Sequence, residues 1–132
     1  MTDRTIHIVA AMIRDERGHV LLVRKRGAQV YQQPGGKRDP GDRDDLHTLR
    51  RELHEELGCT MDESSAICLG TFSAPAANEP GWTVSAHVYE VRAEGPFVVQ
   101  AEIESLVWVD PAAPGDTPIA RLSREQLLPL MH

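Results

Sequence analysis

An α/β fold is expected, with a mixed sheet packed against helices, and three observations point there. Apolar, β-branched runs of strand length lie on both sides of one long segment with helical apolar spacing. The first two runs are close enough to form a hairpin. No repeat, low-complexity tract or linker divides the 132 residues, so residues 1–132 are expected to form one domain.

The elements follow in order. Residues 5–14 (TIHIVAAMIR) read as a strand, Asp15-Glu16-Arg17-Gly18 as a turn and residues 19–26 (HVLLVRKR) as a second strand, pairing with the first. Residues 27–45 hold four glycines and two prolines, which rules out regular structure, and their charge density suggests a loop with a task. A helix comes next, N-capped by Asp44 or Asp45. Its stripe is Leu46, Leu49, Leu53 and Leu57, and Gly58 closes it in the left-handed conformation. Ala66–Ser73 reads as a strand, 74–81 as a loop, Trp82–Arg92 as a strand and Glu94-Gly95-Pro96 as a turn. Ile103–Val109 contains the last strand, and 110–118 is a proline-rich loop. Ser123 to Gln126 has the capping-box pattern and should open a short final helix that Pro129 disturbs.

Composition narrows the function. The chain is 41% hydrophobic and 26% charged, an ordinary globular balance. Twenty acidic against 14 basic residues give a net charge of −6, which argues against general binding to nucleic acid or to an anionic membrane. An acidic protein still binds phosphates if it recruits a metal cation. No apolar run approaches the roughly 18 residues of a membrane span, and Ile8–Ile13 is too short for a signal peptide's core. Cys59 and Cys68 have no metal-site or CxxC spacing and read as reduced thiols in or near the core. A cytoplasmic, reducing compartment is expected.

Seven acidic residues crowd the stretch from Asp39 to Glu56. Glu52 and Glu56 are one helical turn apart beside the leucine stripe, and Glu55 points further round. Arg51 can pair with Glu55 at i,i+4, but Glu52 and Glu56 lack basic neighbours at three or four residues. A hard divalent cation such as Mg²⁺ or Mn²⁺ would relieve that repulsion. Ahead of the helix, Pro34-Gly35-Gly36-Lys37 would let backbone groups approach a ligand closely. Metal and phosphate would meet there.

The run Gly36-Lys37-Arg38-Asp39-Pro40-Gly41-Asp42, followed by Arg51-Glu52-Leu53-His54-Glu55-Glu56-Leu57-Gly58-Cys59, resembles the Nudix box, G-x₅-E-x₇-R-E-U-x-E-E-x-G-U with U bulky and apolar. The second half matches in full, with Cys59 as its apolar end. The first half departs from the pattern. Asp42 replaces a glutamate, and eight residues instead of seven precede Arg51, the extra one around Arg43. With the lead-in LLVRKR and Glu102 before the last strand, the resemblance spans roughly residues 5–110.

The resemblance implies a Nudix α/β/α sandwich around a mixed sheet and a Mg²⁺-dependent (alternatively Mn²⁺-dependent) cleavage of a diphosphate linkage. It implies Glu52, Glu55, Glu56, the Gly36 carbonyl and Glu102 as metal-site residues. Arg51 would hold a helix carboxylate in place. Glu52 or Glu102 would be the general base, with Glu104 and Glu90 as fallbacks. Arg24, Lys25, Arg26 and Lys37, with Gly35 and Gly36, would bind phosphate. His47 and His54 are expected to face solvent, while His87 is open. Tyr31, Phe72 and Trp82 could stack on a base, though core packing suits Phe72 better. The leading substrate is a nucleoside triphosphate cut to monophosphate and pyrophosphate, with sugar nucleotides and dinucleoside polyphosphates open. No stable nucleic-acid or membrane partner is expected, and a homodimer is left open. The alternatives are a nucleotide-sensing module without turnover and, far behind, an isoprenyl diphosphate isomerase, which would want a catalytic cysteine.

Overall fold

The computed structural model describes residues 4–77 and 79–131; the first three residues, Asn78 of the expected 74–81 loop and His132 lie outside them. Strands β1 (Thr5–Met12), β2 (Val20–Lys25) and β3 (Gly35–Gly36) precede helix α1 (Asp45–Leu57). Strands β4 (Thr60–Pro75), β5 (Thr83–Glu94) and β6 (Ile103–Val109) follow. The chain ends in a helical segment that is π-type over Leu122–Leu127 and 3₁₀ over Leu128–Met131.

One sheet has the order β3-β1-β5-β4, with β1 parallel to β5 and the other pairs antiparallel; β2 and β6 form a second, antiparallel sheet. The expected hairpin therefore needs correction. The Asp15–Gly18 turn is present, but beyond it β1 and β2 share only the isolated bridge Arg14–Val20 and separate into different sheets. Both strands are apolar on both sides, and alternate side chains point to opposite faces. Val9, Ala11, Ile13, Leu21 and Val23 pack with the α1 leucines, whereas Ala10, Met12, Val20 and Leu22 pack with Leu122, Leu127 and Leu128. Separation lets each strand fill both cores.

The expected helix is present with both caps. The Asp44 side chain accepts from the His47 amide, and Gly58 takes φ 65° while its N–H donates to the His54 carbonyl. Leu49, Leu53 and Leu57 are fully buried, and Leu46 packs at the edge. β4 runs further than Ala66–Ser73, because the polar stretch after Met61 bulges between Asp62 and Ile67 before pairing resumes. Cys59 is buried, but Cys68 is exposed on β4 and lies outside the core.

The capping box at Ser123 is a second correction. Winding starts before this residue, and Ser123 is buried with its hydroxyl on the side chain of Gln33. Pro129 falls in the 3₁₀ part, where it does not end the winding.

Leu53→Ala should destabilise the fold by about 2–5 kcal/mol, since the emptied site is walled by both sheets and cannot readily collapse. Urea unfolding of the purified variant checks this.

Candidate active site

Helix α1 and the diglycine strand β3 meet along one edge of the larger sheet. Amphipathic placement of α1 puts Glu56 at the core boundary, where it is only 1% exposed. Its Oε1 accepts from the Gly35 amide at 3.2 Å, and its Oε2 is buried without a partner among the described residues. Burial pushes this carboxyl up to about 8; the Gly35 amide and the Lys25 charge pull it down, and Glu52 and Glu102 add to the rise. Glu52 is also shifted upward by burial, against the opposing pull of Arg51.

Glycine is required at the first position of β3, and at the second it leaves room for a carboxylate. At Gly35, with φ 148°, a Cβ would fall 2.1 Å from the Val9 carbonyl oxygen. At Gly36 a Cβ would stand 2.6 Å from the Glu52 carboxyl carbon. The bend therefore lies directly against the carboxylate.

Arg51 fastens the preceding loop to the helix. Its Nε and Nη2 donate to the two oxygens of Asp42 at 3.2 and 2.9 Å, Nη2 reaches the Lys37 carbonyl at 3.2 Å, and Nη1 donates to Glu52 Oε1 at 2.9 Å. Glu52 thus has a basic partner after all, its own sequence neighbour, because a long guanidinium can curl along the helix. Asp42 also accepts from the Thr48 hydroxyl and the Asp39 amide. The bonds from Arg51, the Asp39 amide and Thr48 hold its carboxyl well below the usual range. Arg43 lies in the loop before the Asp44 cap.

A cleft of about 920 Å³ opens over this corner. Glu52, Glu56, Glu102, Lys25, Arg26 and Lys37 line it, together with Gly35 and Gly36. The β2–β6 ladder brings Glu102 to within 4.0 Å of Lys25 Nζ, and the Arg26 amide donates to the Glu102 carbonyl at 2.7 Å.

Other expected residues do not join. Glu55 is half-exposed, 3.6 Å from Arg51 and outside the cleft, so two carboxylates of α1 meet the diglycine bend where three were expected. Arg24 turns to the Ala28 carbonyl and the Tyr31 ring. Strand alternation explains this, because Lys25 shares the cleft face with Val23 and Arg24 takes the other. Glu104 pairs with Arg26, and Glu90 with Arg14. His54 is exposed; His47 is half-buried and accepts from the Arg43 amide; His87 sits 3.1 Å from Asp45, away from the cleft. Phe72 packs in the core, and Tyr31 bonds Ser105. No group of three or more acidic, histidine or cysteine side chains is arranged to hold a metal ion among the described residues. The chemistry of the donors still suits a hard cation: Glu56 carries an unpartnered buried oxygen beside a second carboxylate and a backbone bend. Gln33 and Ser123, buried polar residues in the lining, were missed from sequence.

A family model described as the NUDIX domain matches residues 4–131. The chain belongs to the Nudix family. No curated protein matches the sequence. Among solved structures it is similar to the E. coli ORF135 protein, at 27% identity over 98% of this chain and 90% of that one, with TM-score 0.74. A MutT protein from Methanosarcina mazei Go1 shares 24% identity over 99% and 95% of the two chains, with TM-score 0.80. A MutT NUDIX hydrolase from Burkholderia pseudomallei shares 24% over 95% and 97%, with TM-score 0.77. At that identity the last two show a common fold. The mixed sheet flanked by helices is the Nudix α/β/α sandwich, and membership carries a hydrolytic function on nucleotide derivatives. No helix among the described residues of this Nudix chain is long and apolar enough to cross a membrane.

Asp42→Asn should loosen the loop and lower the melting temperature at neutral pH. The folded-state carboxyl titrates below its ordinary value of 3.8, so its contribution is present above that pH and is lost as pH falls through and below it. The gap between wild type and variant should therefore narrow below about pH 4 in thermal melts taken across the acid range.

Proposed function

We propose that this Nudix protein is a divalent-metal-dependent hydrolase of the diphosphate linkage in nucleoside di- or triphosphate derivatives, with a nucleoside triphosphate cut to monophosphate and pyrophosphate as the leading reaction. The observation that carries the reading is Glu56, a carboxylate shut inside the protein with one oxygen unpartnered among the described residues, beside Glu52 and a diglycine bend whose Gly35 admits no side chain.

Glu52, Glu56 and the Gly36 carbonyl would hold the cation, Mg²⁺ or Mn²⁺, with Glu102, which lines the same cleft, as a further contributor. When bound, such an ion neutralises diphosphate charge and makes water more acidic. The protein's own groups supply the rest. Arg51 keeps Glu52 oriented through its Nη1 bond while anchoring the loop through Asp42. Lys25, Arg26 and Lys37 give the cleft cationic groups against phosphate oxygens. The carboxylates of Glu52 and Glu102 lie in the cleft and can take a proton from the attacking water. The thiols of Cys59 and Cys68 are both free, which suits a reducing cytoplasm.

Glu56→Gln should keep the fold, since the amide oxygen can still accept from Gly35. Its turnover should drop by about two to four orders of magnitude in a phosphate-release assay over a nucleotide panel. A near-normal rate would contradict the metal role. Millimolar Mg²⁺ or Mn²⁺ should raise the wild-type melting temperature by several degrees, because a ligand of the native state alone stabilises it, and the variant should lose most of that shift.

A further inference from the structure

The cleft has a second, chemically different region. Ile8, Val84 and Leu122 line it and belong to the core on the side of the C-terminal helical segment. Two polar residues interrupt this apolar lining, Gln33 and Ser123, which are 7% and 1% exposed. The Ser123 hydroxyl donates to Gln33 Oε1. That bond fixes which end of the amide is committed. Gln33 Nε2 is left buried with no partner among the described residues, although it can donate twice.

An unmet buried donor is destabilising, so a Gln at this point disfavours the empty protein. The same group becomes favourable once an acceptor is supplied. A charged acceptor does not suit the apolar surroundings, whereas a flat neutral ring with a carbonyl or an unprotonated ring nitrogen does. A ring there would leave its phosphate chain free to follow the cleft toward Lys25, Lys37 and the glutamates, which line the same cavity.

We propose that Gln33, oriented by Ser123, is a specificity-determining donor that selects a nucleobase by a hydrogen-bond acceptor on its edge. The proposal rests on the hydrolase reading for the placement of the phosphates, but it concerns the other end of the substrate. The C-terminal helical segment is then a wall of the binding site as well as a core element. A site that hydrogen-bonds its ligand discriminates against analogues that lack the matching group, because its own buried polar atom is then left unpaired.

The test is binding of nucleoside monophosphates, which have a base but no anhydride to cleave. Calorimetry with adenosine, guanosine, cytidine, uridine and inosine monophosphates should show wild type separating the tightest from the weakest by about tenfold or more. Gln33→Met, similar in size and without a donor, should compress that spread to less than about threefold, with the fold checked by circular dichroism. Should Gln33→Met fail to fold, Ser123→Ala, which removes one oxygen, should compress the spread in the same direction. A spread unchanged by the substitution would mean that the amide serves only the packing of the C-terminal segment, and would overturn the proposal. So would a wild type that binds all five alike or none. Selective binding that depends on Gln33, together with no turnover of any nucleotide in the panel, would overturn the hydrolase reading and leave this one standing.

Discussion

The structure depends on keeping a carboxylate inside the protein. Glu56 follows Leu49 and Leu53 on α1 and precedes Leu57, so the packing that buries the stripe carries Glu56 inward with it. Desolvating an anion is costly, and one amide from Gly35 offsets only part of that cost. The apolar contacts of α1 with both sheets supply the compensation. The site's geometry is therefore inherited from the core: the helix cannot rotate to release the carboxylate without exposing the leucines.

The surrounding groups divide the charge problem among themselves. Glu56 is shifted toward its neutral form by burial, while Asp42, in the loop ahead of the helix, is held firmly ionised by Arg51. Two carboxylates of one motif, at Asp42 and Glu56, thus have opposite electrostatic settings. Asp42 is a fixed anion that organises the loop, and Glu56 is a responsive one whose charge depends on what lies beside it. Arg51 bridges Asp42 and Glu52, so the loop and the cleft share one cation.

Much of this was legible from the chain. The leucine spacing, the Asp44 cap and Gly58 give α1 with both ends, because helix periodicity and caps are local signals. Once α1 is known, Glu52 and Glu56 share one side of it by their spacing, and the resemblance to the Nudix box is what implies the diglycine bend beside them. What could not be read depends on partners distant in sequence. The hairpin expectation failed because β1 and β2 each serve two cores, which apolar content alone does not reveal. Arg24 was misplaced because consecutive strand residues face opposite ways and the run Arg24–Arg26 does not show which face is the cleft. Ser123 carries a capping signature, yet its hydroxyl bonds Gln33, 90 residues earlier. No local pattern reports such a contact.

The loop before α1 is anchored at Asp42 by the guanidinium and at Asp44 by the His47 amide, which leaves Arg43 as the one link between two moorings. An added residue there changes the path of an exposed backbone segment while both moorings keep their grip. A change of chain length at this joint would therefore leave the register of the carboxylates in place, whereas the same insertion within the helix would rotate every later side chain by about 100°.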